Sequence, residues 1–109
     1  VKRYKDNMQV LVTRLPLCGF KRLSSPQGAF YLYCEVSNLL LLTGCKDSLA
    51  LATEVLDKCA VAITPGLDFD PARGGTYIRF SFSGSTADMN AACDRLQKWY
   101  SGLARKAAL

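Results

Sequence analysis

Along residues 77–83, YIRFSFS, apolar and polar positions alternate with a period of two. That predicts a strand with Ile78, Phe80 and Phe82 on a core face and Tyr77, Arg79 and Ser81 on the opposite one. Gly74 and Gly75 before it, and Gly84 after it, mark turns. At the start of the chain the spacing changes. Tyr4, Met8, Leu11 and Leu15 recur at helical intervals and predict a helix over 2–15, ended by Pro16 and Gly19. Residues 19–25 and 29–36 read as strands joined by a turn at Pro26-Gln27-Gly28. Residues 37–47 read as a loop, with Leu39 to Leu42 as a cover over the core. Asp47 or Ser48 caps a helix over 48–60, with Leu49, Ala52, Leu56 and Cys59 as its buried stripe and Val55 beside them. Residues 61–64, VAIT, read as a strand broken by Pro65 and Gly66. Ser85 to Asp88 opens the last helix in capping-box style. Met89, Ala92, Cys93, Leu96, Trp99, Tyr100 and Leu103 face inward along it, so Trp99 reads as packing. The order helix, strand, strand, helix, strand, strand, helix predicts an α+β domain: a small mixed or antiparallel sheet packed by about three helices.

Composition narrows the class. The chain has 109 residues, half of them hydrophobic, with a net charge of +5. This fits one domain with a modest core. No apolar run approaches the about 18 residues of a membrane-spanning helix. The basic start, VKRYKDN, is not followed by the apolar run of a secretory signal. Lys2, Arg3 and Lys5 crowd a first helical turn where the dipole disfavours cations. The expectation is a helix that continues upstream, or a processed terminus. The five cysteines form no C-x-x-C pair, and the chain has no histidine. The common zinc patterns are therefore missing, and a reducing, cytoplasmic compartment is expected. Without histidine no Ser/His or Cys/His dyad can be built, and no glycine-rich phosphate loop occurs. The chain by itself is poorly equipped for catalysis.

Arg79 is the residue that the strand pattern leaves unexplained. It is always charged, and its planar fork of donors matches a carboxylate or phosphate. Read from the strand alone, it is a surface arginine on a half-exposed face.

Three stretches taken together, PQGAFYLY, VAITPGLDF and GGTYIRFSF, resemble the C-terminal small domain of class I and II aminotransferases. These are pyridoxal-phosphate enzymes of fold type I. The likeness runs from about Tyr4 to Tyr100. It implies that Arg79 binds the α-carboxylate of an amino acid substrate. Gly28, Ala29 and Phe30 match a segment whose phenylalanine borders the substrate pocket; core packing is the other reading of Phe30. Pro65, Gly66 and Phe69 match a loop on the active-site side, with Gly66 expected to adopt a conformation that side chains forbid. Asp68 and Asp70 read as solvated loop charges. The resemblance further implies a Schiff-base lysine, an aspartate at the pyridine nitrogen, a tyrosine near the ring oxygen and a phosphate-binding shell. All of these belong to an upstream large domain, and no Ser-x-x-Lys stretch occurs in this chain.

The expectation is therefore one domain over 1–109, with no catalytic, cofactor-binding or metal-binding residue of its own. Pyridoxal 5'-phosphate would be bound in the complete enzyme, a homodimer that moves an amino group between an amino acid and a 2-oxo acid. The chain alone would be inactive, without nucleic-acid or membrane partners. In the family the small domain moves toward the large one when substrate binds, which would make the Arg79–carboxylate pair a trigger for closure. Two other classes fit less of the sequence. An RNA-binding α+β module would use FYLY and YIRFSF as stacking platforms, but YIRFSF lacks the Lys/Arg-Gly-Phe/Tyr start of that signature. A regulatory amino-acid-binding module would use Arg79 as a carboxylate ligand without chemistry.

Overall fold

The computed structural model describes residues 2–24 and 31–108. Helix α1 spans Lys2–Arg14 and runs into a 3-10 turn at Leu15–Cys18. Strands β1 (Arg22–Ser24) and β2 (Tyr31–Glu35) follow, then helices α2 (Ser37–Thr43) and α3 (Ser48–Cys59). Strand β3 is Thr64–Pro65, β4 is Tyr77–Ser81, and α4 spans Thr86–Ala108. The strands form one antiparallel sheet in the order β1-β2-β4-β3. The fold is α+β, as the alternation of elements predicts.

Register decides which residues share a face. Cys34 pairs with Ile78 and Leu32 with Phe80, so these four side chains lie together on the helix side, buried to 5% exposure or less. Phe20 ties this face to α4. Its ring meets Phe80 edge-on at 4.9 Å and lies stacked 6.5 Å from Trp99. Trp99 is packing, as its helical spacing indicates. Leu11, Leu15, Cys93 and Leu96 close the layer between α1 and α4.

A polar link runs through that layer. Asn7 is fully buried. Its amide donates to the carbonyls of Phe82 (2.9 Å) and Gly84 (2.6 Å) and accepts from the Thr86 hydroxyl (2.6 Å). It thereby fastens α1 to the β4–α4 connection, a role that the apolar stripe of α1 does not reveal. The side chain of Tyr4 and the Pro26-Gln27-Gly28 turn lie outside the described residues.

Three expectations are corrected. Residues 37–43 form helix α2 rather than loop. Its start is held by Glu35, whose carboxylate accepts from the Ser37 backbone N–H at 3.1 Å and from its hydroxyl at 2.6 Å. Gly44, at φ 76, ends it. Consecutive leucines have no 3.6-residue period, which hid the helix. Leu39 is buried while Leu41 is 86% exposed, so only part of the run covers the core.

In α3 the stripe is rotated. Leu49 and Leu56 point outward, at 53% and 56% exposure, while Leu51, Ala52, Val55 and Cys59 are buried. Both stripes have helical spacing. Ser48 chooses between them: it is buried, and its hydroxyl donates to the Gly74 carbonyl at 2.6 Å. Asp47 is the cap, accepting from Ala50 N–H at 3.0 Å. Finally, VAIT contributes only Thr64 to the sheet. Val61 and Ile63 are buried without pairing, and Pro65, lacking an N–H, occupies an edge position.

Candidate functional site

The second face of the sheet carries Ser24 from β1, Tyr31, Tyr33 and Glu35 from β2, Tyr77, Arg79 and Ser81 from β4, and Thr64 from β3. It is half open to solvent. Arg79 sits near its middle, paired with Tyr33 on one side and Thr64 on the other. Its neighbours Ile78 and Phe80 are locked into the core. The backbone of Arg79 is thereby fixed, and its side chain has one direction to take.

Rings receive it. The guanidinium carbon lies 4.2 Å from the centroid of the Tyr31 ring and 5.1 Å from that of Phe69. Phe69 in turn meets Tyr33 edge-on at 5.4 Å. The described residues contain ion pairs at Arg14–Asp94 and Arg22–Glu35, and Arg79 takes part in neither. Its Nε is shut off from solvent without a hydrogen-bond partner among the described residues. A buried donor left unmade costs about 1–3 kcal/mol. An arginine held this way, with its Nε lacking an acceptor among the described residues, is suited to an acceptor that comes from outside.

Next to it lies a concavity of about 390 Å³, walled by Tyr33 and Phe69 and by Ser24, Asp70, Arg73 and Tyr77. The loop that builds this wall depends on two glycines. Gly66 has no left-handed backbone; it is needed because a β-carbon there would strike the Gly74 carbonyl. The reason is close approach, which corrects the expectation of a forbidden conformation. Asp70 is more than a solvated charge, since its carboxylate accepts from the Arg73 backbone N–H at 3.1 Å and shapes the turn. Asp68 is exposed.

Phe30 and Gly28 lie outside the described residues. Tyr31 and Tyr33 are the site residues that sequence reasoning missed. Alternation in YLYCE puts both on one face, but only the pairing of β2 with β4 shows that this is the Arg79 face.

The donor set can be tested against an aldehyde cofactor. The strands of this face carry guanidinium, phenol, hydroxyl and carboxylate groups and no lysine. They fit a carboxylate. They do not fit pyridoxal phosphate, which needs an amine to bond its aldehyde.

Known proteins resemble this chain in sequence and in fold. Residues 1–96 match the family described as aminotransferase class I and II. The chain is 41% identical over 96 residues to the valine–pyruvate aminotransferase of Mycobacterium tuberculosis, covering 88% of this chain and 24% of that protein. It is 30% identical over 103 residues to a bifunctional aspartate and glutamate/aspartate-prephenate aminotransferase of Petunia hybrida, covering 90% and 21%. Among solved structures, an aminotransferase from Mycobacterium tuberculosis superposes with a TM-score of 0.82 at 39% identity, covering 93% of this chain and 25% of the other. A provisionally assigned aminotransferase from Silicibacter pomeroyi gives 0.84 at 46% identity, covering 93% and 26%. The chain thus spans about a quarter of the length of the relatives it matches. Its α+β fold matches the small domain of aminotransferases, and the chain belongs to the class I and II aminotransferase family, whose members are pyridoxal-phosphate-dependent enzymes.

Proposed function

We propose that residues 1–109 form one small domain of a longer pyridoxal-phosphate-dependent aminotransferase, and that Arg79 binds the α-carboxylate of its amino acid and 2-oxo acid substrates. The observation that carries this reading is the state of Arg79. It is held over Tyr31, has no ion pair among the described residues, and keeps a buried Nε without an acceptor. A carboxylate would supply a charge-assisted, two-pronged partner, short and directional. Fixing the carboxylate fixes where the substrate's amino group lies, so the contribution of this chain is positioning.

The cofactor and the amine that holds it belong to an upstream large domain, so the chain alone does not transaminate. The complete enzyme works as a cytoplasmic homodimer. Among the described residues no helix is long and apolar enough to cross a membrane.

The test is Arg79→Lys in the full-length enzyme. Lysine keeps the charge and loses the fork. The expected result is a fall in kcat/KM of about 10- to 100-fold, the scale of one lost hydrogen bond to a charged group. Cofactor content, read from its absorbance, stays unchanged. Loss of cofactor with unaltered substrate affinity would overturn the assignment.

A further inference from the structure

We infer that Tyr31 is the positioning residue for Arg79, and that the face of its ring, rather than its hydroxyl, does the holding. The inference rests on the reading of Arg79 as the carboxylate ligand.

Register alone does not lead to it. The residue directly opposite Arg79 is Tyr33, whose ring is engaged edge-on with Phe69. The guanidinium reaches instead to the diagonal neighbour, Tyr31, at 4.2 Å. Diagonal pairs on one sheet face are within reach of aromatic and long side chains. Phe69, from a separate loop, adds a second ring at 5.1 Å.

Two other arginines here are aimed by oxygen atoms. Arg14 is held by Asp94 at 2.6 Å, and Arg95 donates its Nε to the Cys59 carbonyl at 2.7 Å. The Nε of Arg79 has no such oxygen among the described residues. The difference has a chemical consequence. A carboxylate holder would neutralise the guanidinium and occupy the edge that an incoming carboxylate needs. A ring holder attracts the cation through its quadrupole and touches only the face. Orientation is gained without an acceptor of this chain being placed on the guanidinium edge by the ring.

The experiment uses the full-length enzyme with Tyr31→Leu, Tyr31→Phe, and phenylalanine at position 31 bearing one, two and three ring fluorines. Fluorination weakens the quadrupole and leaves the ring's shape nearly unchanged. The expected result for Tyr31→Phe is a KM for the amino acid within about threefold of the parent. For Tyr31→Leu it is a rise of about tenfold, within the range of a partly desolvated cation–π contact. Along the fluorine series KM climbs stepwise, with kcat less affected and cofactor absorbance constant. The series decides the matter if Tyr31→Leu does not fold. A flat series, or a Tyr31→Phe variant as impaired as Tyr31→Leu, would overturn the inference. Arg79→Lys, measured alongside, separates the two levels. If it raises KM while the fluorine series is flat, only the role of Tyr31 fails. If it leaves KM unchanged, the carboxylate reading fails and this inference with it.

Discussion

Gly66 and Gly74 lie backbone against backbone, too close for either to carry a β-carbon. A β-carbon on Gly66 would fall 2.6 Å from the Tyr77 carbonyl and closer still to that of Gly74. The obstacles are main-chain atoms, which cannot rotate away. Gly74 is also pinned from α3 by Ser48. The contact holds both ends of the loop that delivers Phe69 to Arg79.

Gly66→Ala and Gly74→Ala are therefore expected to destabilise by about 1–3 kcal/mol, the cost of forcing extra volume into a packed site. Gly75→Ala, whose β-carbon would meet nothing within 4 Å, should stay within about 0.5 kcal/mol of the parent. Thermal unfolding of the three variants checks both statements. Equal midpoints for all three would contradict the close-approach argument.

Asn7→Leu should cost about 3 kcal/mol. It removes a buried amide that satisfies the Phe82 and Gly84 carbonyls and accepts from Thr86, and each buried polar group left unsatisfied costs about 1–3 kcal/mol. Denaturant unfolding measures it. A cost under about 1 kcal/mol would mean that the link contributes little to joining α1 and α4.

The leucine run separates into two behaviours. Leu39→Ala is expected to cost about 2–5 kcal/mol, since it opens a cavity in the core. Leu41→Lys, at a position 86% exposed, should change stability by no more than about 0.5 kcal/mol. Comparable losses at both positions would mean that α2 is rotated from the orientation described.

Thiol chemistry should single out Cys45. Cys18, Cys34, Cys59 and Cys93 are buried, whereas Cys45 is partly accessible. Mass spectrometry after brief alkylation is expected to find one modified cysteine in the native protein and five after unfolding. Two modified native thiols would contradict the burial.

Burial also pushes the Cys18 and Cys34 thiols up from 9.0 to about 12. Their folded values lie above the unfolded one, so the unfolded chain loses these protons first. The stability they contribute is fully present below about pH 8.5 and is lost as pH rises toward 12. Denaturant midpoints measured from pH 7 to 11 should fall above about pH 9. Replacing both residues by alanine should flatten that fall, and an unchanged slope would assign it to other groups.

Much of the fold was legible in the sequence because the code for it is local. Alternation in YIRFSFS placed Ile78 and Phe80 in the core and Arg79 on the other face. Ser85 accepts from Asp88 N–H at 3.0 Å, as the S-T-A-D start of α4 predicts. Where two patterns were equally periodic, as in α3, the choice fell to a contact from outside the helix, the bond between Ser48 and Gly74. Where no period existed, as in the leucines of α2, burial of one side chain and the bonds from Ser37 to the Glu35 carboxylate support the helix.

The candidate site divides along the same line. Side-chain direction along a strand depends only on position parity, so the order of residues already shows an arginine on an otherwise mixed strand face, flanked by tyrosine and serine. What Arg79 meets is set by how the strands and the loop come together. The order β1-β2-β4-β3 and the register Tyr33↔Arg79 bring Tyr31 beneath the guanidinium, and the Gly66–Gly74 contact brings Phe69 to its side. Those neighbours come from segments far apart in the chain, and no local period relates them; only the closing of the sheet and the loop puts the rings where the charge is.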